Sequence, residues 1–129
     1  ELVVGPVTGG ILLAHEVGKA LGTRAIFTER DNGKMTLKRG FHIEPGTRVL
    51  VVEDIVTTGG SVKEVMEVVQ EKCGELVGVG LLVDRSGGKV DFGIRTEALL
   101  HLNVETFDPN SCPRCAEGKE FTKRGRTGK

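Results

Sequence analysis

The stretch Arg48-Val-Leu-Val-Val-Glu-Asp-Ile-Val-Thr-Thr-Gly-Gly-Ser-Val62 decides how the rest of the chain is read. Apolar residues run from Val49 to Val52 into two carboxylates, Glu53 and Asp54. A turn rich in hydroxyls and glycine follows, Thr57-Thr58-Gly59-Gly60-Ser61, and then apolar positions at helical spacing. A short continuous apolar run suits a strand covered on both faces, so a strand is predicted over 48–53. A turn is predicted over 54–60, then a helix over 61–73 that stops at Gly74.

The turn admits two readings. Glu64 lies three residues after Ser61, so a capping box would account for the pattern without any ligand. Alternatively, free N–H groups at a helix start, glycines that allow close approach and three hydroxyls form an anion site that suits a phosphate monoester. Glu53 and Asp54 weigh toward the second. Adjacent acids ending a buried strand are costly unless solvated, paired or bound to a ligand. Beside an anion cradle they would repel a bare anion. The ligand must therefore also offer hydroxyls, a metal ion or developing positive charge, and a sugar phosphate meets that description.

Outward from this stretch, strands and helices alternate. Leu2–Val4 is a short apolar run ending at Gly5-Pro6 and the turn Val7-Thr8-Gly9-Gly10. Ile11, Leu12, Ala14, Val17, Ala20 and Leu21 recur at helical spacing, with Gly22 placed to stop the helix. Residues 24–28 read as a strand, 29–47 show charge and glycine without clear periodicity, and 76–84 are again strand-like. Beyond a Ser-Gly-Gly turn, 98–102 read as a short buried segment and 104–107 as a final strand. The fold class expected is α/β, three-layered, with a mainly parallel sheet and helices on both faces. Ligands collect at the C-terminal edge of such sheets, where residues 5–10, 29–47, 54–61 and 84–88 all fall. Residues 1–108 are expected to form one catalytic core and 109–129 an irregular tail.

Composition narrows the classes of function. The 129 residues suffice for one core. Eighteen basic and eighteen acidic residues cancel, so no global charge points to nucleic acid. The basic tail residues Lys119, Lys123, Arg124, Arg126 and Lys129 read as a solvated end. No apolar run approaches the roughly 20 residues of a membrane span, and no secretory pattern opens the chain. Three cysteines suit a reducing, cytoplasmic setting. The chain opens on Glu1 inside a strand-like run, which leads to the expectation of a missing N-terminal segment. No lysine follows Gly59-Gly60 as a P-loop requires, and Gly78-Val-Gly80 lacks the third glycine of a dinucleotide fingerprint. Asp91-Phe92-Gly93 stands without any other kinase signature. Cys112-Pro-Arg-Cys115 has zinc-knuckle spacing without four ligands, and a free or reversibly oxidised thiol pair is the preferred reading. His15 reads as a core or surface helix residue, and His42 closes the 29–47 segment, where an ordinary loop role is the preferred reading.

The run from Val49 to Ser61 resembles the 5-phosphoribosyl 1-pyrophosphate (PRPP) signature of type I phosphoribosyltransferases. The resemblance implies PRPP binding by Glu53, Asp54, Ile55, Val56, Thr57, Thr58, Gly59, Gly60 and Ser61. In it, the two acids engage the ribose 2- and 3-hydroxyls, and Thr57 to Ser61 wrap the 5-phosphate. Residues 5–10 stand where the family has its pyrophosphate loop, with Thr8 and Gly9 as binding residues. The stretch Asp84-Arg-Ser-Gly-Gly88 is similar to that of orotate phosphoribosyltransferases, which implies that Arg85 holds the orotate carboxylate and Thr57 contacts the pyrimidine. Residues 29–41 resemble the lid of a bacterial and archaeal branch, bringing Arg30, Lys34, Lys38 and Arg39 to the leaving pyrophosphate. They depart from the family's RKExKxH form: Asp31 stands at its first lysine and Thr36 at its histidine, and Lys38 and Arg39 are candidates to compensate. Also implied are Mg²⁺ held mainly by PRPP and water, no covalent nucleophile, an N-terminal hood that this sequence does not include, and a homodimer that shares its lids. The function implied is transfer of phosphoribose to orotate in pyrimidine biosynthesis. Another base specificity, or a non-catalytic PRPP sensor, is the alternative.

Overall fold

In the computed structural model of the chain, the described residues are 1–105, 107–108 and 110–119. The elements run β1 (Leu2–Pro6), α1 (Gly9–Leu21), β2 (Arg24–Asp31), β3 (Lys34–Thr36), β4 (Arg48–Val56), α2 (Gly60–Glu71), β5 (Glu75–Asp84), β6 (Thr96–His101) and α3 (Pro113–Ala116). Six strands form one sheet in the order β3-β2-β1-β4-β5-β6. All neighbours are parallel except β2 and β3, which form a hairpin. The expected α/β architecture is the observed one.

Strand alternation sorts the core into two halves. Leu2, Val4, Val49, Val51, Val79 and Leu81 pack with Val62, Val65, Val68 and Val69 of α2, whereas Val3, Leu50 and Val52 pack with Leu13, Ala14 and Val17 of α1. The valines of α2 lie three and four residues apart, which puts them on one stripe of the helix. Gly22 ends α1 with φ of 64°, as the sequence indicates.

Several boundaries differ from expectation. β2 continues past Thr28 to Asp31, because Asn32 (φ 48°) and Gly33 (φ 84°) supply the two left-handed residues of a tight hairpin and Lys34 begins the return strand. The 29–47 segment is therefore a hairpin followed by an irregular stretch. β4 runs three residues beyond Glu53 because Glu53, Ile55 and Val56 keep pairing with Leu81, Val83 and Asp84. Beyond α2 the left-handed residue is Cys73 (φ 58°), not Gly74. Gly74 is required by packing instead: a Cβ there would stand 2.8 Å from Val69 Cγ1.

The expected buried segment at 98–102 belongs to β6, an edge strand on which Leu99 is 84% exposed. Val104, Glu105 and Phe107 carry no strand, and Thr106 lies outside the described residues. β6 already occupies the position beside β5. Within 109–129, the single turn α3 is present; Pro109 and residues 120–129, including Lys123, Arg124, Arg126 and Lys129, lie outside the described residues. No helix among the described residues is long and apolar enough to cross a membrane.

Val51 is fully buried between β1, β5 and α2. Val51→Ala should cost about 2–3 kcal/mol, read as a lower urea midpoint at unchanged slope.

Candidate active site

Five parallel strands deliver their C-terminal ends to one edge of the sheet. β1 lies between β2 and β4, so successive connections diverge there and open a crevice between the ends of β1 and β4. Alternation sends Glu53 toward the α2 face and Asp54 toward the α1 face, where α1 begins at Gly9. The approach is close: a Cβ on residue 9 would stand 1.8 Å from Asp54 Oδ2. Gly5 and Gly10 are equally confined, since a Cβ on Gly5 would lie 2.3 Å from the Gly10 carbonyl oxygen. The Val7–Thr8 peptide is cis, and the exposed Thr8 makes no side-chain cap bond to α1.

Glu53 is 8% exposed, and its Oε1 accepts the Asp54 N–H at 3.1 Å. Asp54 Oδ1 accepts the Ile55 N–H at 2.7 Å. Both carboxylates are thereby oriented by the adjacent backbone, and each retains acceptor capacity. Beyond them the chain turns through Thr57 and Thr58, both exposed, into α2. The N-cap is Gly59 (φ 76°) without any side-chain cap bond, and Ser61 lies inside the first turn. The capping box does not form, because Glu64 is drawn away to Arg30. The first helical bond is from the Lys63 N–H to the Gly59 carbonyl at 3.0 Å. The N–H groups of Gly60, Ser61 and Val62 thus precede the helical ladder and line a small depression with Glu53, Thr57 and Thr58. A Cβ on Gly59 would stand 2.6 Å from Val90 Cγ1 and 3.0 Å from the Phe92 ring, so the segment after β5 backs this loop.

Arg85 follows β5, and its N–H donates to the Val56 carbonyl at 2.8 Å, one residue before Thr57. Its guanidinium has no hydrogen bond or ion pair among the described residues. Asp84 anchors the turn: its Oδ1 accepts the Ser86 N–H at 2.7 Å, and its Oδ2 lies 3.4 Å from His101 Nδ1. Hydrogen bonds from the Ser86 side chain and backbone, with a smaller contribution from His101, hold the Asp84 carboxyl below the usual aspartate range against the opposing effect of burial.

The four lid cations are all paired with acids. Arg30 reaches Glu64 at 2.6 Å and the Gly33 carbonyl at 2.8 Å, and Lys34 reaches Glu71 at 3.1 Å, which pins the hairpin to α2. Lys38 pairs with Asp31 at 3.2 Å, and Arg39 with Glu29 at 3.1 Å. Arg39 also lies 5.8 Å from the Phe27 ring centre, and Phe27 stacks edge-on with Phe41. Pairs exposed on both sides, such as Lys34–Glu71 and Lys38–Asp31, are worth about 0–1 kcal/mol each, so a polyanion can compete for these cations. His42 Nε2 lies 3.3 Å from Glu44, and His15 is exposed beside Glu16. A larger cavity of about 490 Å³ lies between the hairpin and α2. Glu64, Glu67 and Glu71 line it against Lys34 alone, a charge balance that repels phosphate.

No group of three or more His, Cys, Asp or Glu able to hold a metal ion occurs among the described residues. Glu53 and Asp54 fit Mg²⁺ of the kind that takes one or two carboxylates and completes its shell with phosphate and water oxygens. Sequence reading missed Glu64 and Glu71 as cation partners, Asp84 as an anchor, and Val90 and Phe92 as backing for the loop. The Asn32-Gly33 pair was an available signal for the hairpin.

An open α/β sheet with two acids and an N–H-lined loop at its switch point is an arrangement that can accept both hydroxyls and an anion. The family model described as phosphoribosyl transferase domain matches residues 1–92, and the chain belongs to that family. It is 58% identical over 125 residues to the orotate phosphoribosyltransferase of Desulforamulus reducens, covering 97% of this chain and 65% of that protein. It is 52% identical over 128 residues to the one from Thermotoga maritima, covering 99% and 68%. The chain spans about two thirds of the length of these curated relatives. Among solved structures, orotate phosphoribosyltransferase from Mycobacterium tuberculosis in complex with PRPP aligns with a TM-score of 0.64 at 31% identity, over 78% of this chain and 62% of that one. Adenine phosphoribosyltransferase from Rhodothermus marinus aligns with a TM-score of 0.65 at 22% identity, over 78% and 69%, a likeness of fold alone.

Asp84 supplies a pH-dependent prediction. A carboxyl whose folded pKa is depressed contributes stability above its unfolded pKa and loses it as pH falls through the folded value. Asp84→Asn should therefore be less stable than wild type at neutral pH, and the gap should close below about pH 4, measured by denaturant melts across a pH series.

Proposed function

We propose that this chain is the phosphoribosyl-transfer core of an orotate phosphoribosyltransferase, joining PRPP to orotate and releasing pyrophosphate and orotidine 5′-monophosphate. The observation that carries the reading is the convergence of Gly9, Asp54, the Thr57–Ser61 loop and Arg85 on one sheet edge. High identity to orotate phosphoribosyltransferases favours orotate over other bases.

In this reading, Glu53 and Asp54 accept hydrogen bonds from the ribose 2- and 3-hydroxyls. The loop Thr57-Thr58-Gly59-Gly60-Ser61 holds the 5-phosphate through backbone N–H groups and hydroxyls, with Ile55 and Val56 leading into it. Thr8 and Gly9 meet the pyrophosphate. Arg85 grips the orotate carboxylate with two parallel hydrogen bonds, which the planar guanidinium suits, and Thr57 contacts the pyrimidine.

Breaking the bond from C1 to pyrophosphate leaves positive character on the ribose and extra negative charge on the leaving group. The paired acids lie beside the first, and Arg30, Lys34, Lys38 and Arg39 answer the second by exchanging carboxylate partners for phosphate oxygens. When bound, Mg²⁺ carried by PRPP supplies further charge neutralisation at the pyrophosphate. The lid also keeps water from the activated sugar. No covalent nucleophile is needed. We assign the catalytic core to residues 1–108, with 109–129 appended, and place the protein in the cytoplasm as a homodimer whose lids are shared.

Loss of orotate absorbance on mixing with PRPP and Mg²⁺ tests the activity. Turnover of adenine or uracil in place of orotate would overturn the base assignment. Asp54→Asn should weaken PRPP binding roughly 10- to 100-fold by calorimetry, the value of one or two hydrogen bonds to a charged acceptor. Arg85→Ala should raise the KM for orotate by a similar factor of roughly 10 to 100 and leave PRPP affinity unchanged. Equal losses for both substrates would contradict its role.

A further inference from the structure

The pair Cys112 and Cys115 takes no part in the site above, yet its arrangement is specific. Cys112 stands at the N-cap of α3 in extended conformation, with φ of −73° and ψ of 120°. Pro113 fixes the first helical position, and Cys115 follows one turn later. The turn is closed by hydrogen bonds from the Ala116 N–H to the Cys112 carbonyl and from the Glu117 N–H to the Pro113 carbonyl, both 3.1 Å. Residues three apart in such a turn share a face, so the two thiols stand on one side of α3. Both cysteines are free; Cys112 is partly exposed and Cys115 exposed. Neither belongs to a three-ligand cluster among the described residues. The remaining cysteine, Cys73, lies beyond the end of α2.

We propose that Cys112 and Cys115 are a reversible dithiol, a modification site that reacts with low-molecular-weight disulfides and closes to an intramolecular disulfide. The two residues have different parts. Hydrogen bonds from the Cys115 backbone and thiol, with help from Arg114, favour the Cys112 thiolate and lower its pKa. The same contact raises that of Cys115. Cys112 is thus the attacking sulfur and Cys115 the resolving one, held protonated until it is needed.

The exchange balances in two steps. The Cys112 thiolate attacks one sulfur of an external disulfide such as oxidised glutathione, forming a mixed disulfide and expelling one thiolate. Cys115 then loses its proton to solvent and attacks the Cys112 sulfur, expelling the second thiolate. The protein dithiol is oxidised by two electrons, and the small disulfide is reduced to two thiols. A chemically equivalent reverse exchange restores the dithiol, so the state follows the ambient thiol–disulfide ratio.

The test equilibrates the full chain in glutathione buffers of graded ratio, quenches with acid, alkylates, and maps the peptides by mass spectrometry. The expected result is the joint loss of two of the three alkylatable thiols, both within the 112–115 peptide, with Cys73 still labelled. Cys115→Ser should instead accumulate glutathione on Cys112. In the reduced protein, Cys112 should react with iodoacetamide about tenfold faster than Cys115 at neutral pH. The proposal is overturned if both thiols stay alkylatable across the series, if glutathione remains on Cys112 in the unsubstituted chain, or if purified protein carries stoichiometric zinc that protects both.

Discussion

The absence of a side chain at residue 9 is the constraint on which the site depends. Asp54 Oδ2 occupies space that any Cβ there would claim. The start of α1 can therefore press against the end of β4 at the point where two connections leave the sheet in opposite directions. Gly5 and Gly10 extend the same requirement backward, because the turn folds tightly enough to bring the carbonyl of residue 10 over residue 5. Buried valines on both faces hold β1 and β4 in register, so the acids within β4 are held by the core rather than by a flexible loop.

Around this fixed centre the structure distributes charge in two ways. Glu53 and Asp54 are oriented by short local hydrogen bonds and lie partly or wholly inside the protein. The lid cations lie on the surface and balance one another's neighbours: Arg30 with Glu64, Lys34 with Glu71, Lys38 with Asp31, Arg39 with Glu29. Paired surface charges cost little to separate in water. A hairpin held by such pairs keeps its shape and remains able to trade partners, which suits a lid. Asp31 supplies the partner for Lys38, which ties the hairpin to the segment that follows it.

Asp84 and Arg85 show a division of labour between neighbours. The carboxylate is spent on the turn, bonding Ser86 and approaching His101, and this fixes where the next residue emerges. Among the described residues, its neighbour Arg85 is tied through its backbone N–H to Val56 and makes no side-chain bond. The position of its Cα is held while its side chain is not spent on the turn.

By itself the sequence determined the alternating architecture, the family and the position of the glycine-rich turn that leads into α2. Those features depend on local order: apolar runs of strand length, helical spacing, glycines that stop helices, and a long contiguous signature. It did not reveal that β4 carries Asp54 within a strand, that Glu64 serves Arg30 rather than Ser61, or that residues 98–102 lie on an exposed edge. Each of these is settled by a partner far away in the chain: the pairing of Val56 with Asp84, the packing of the hairpin on α2, the place of β6 at the end of the sheet. Hydrogen-bond and ion-pair partners are chosen by proximity in space. Only the tertiary fold brings residue 30 to residue 64, or residue 9 to residue 54.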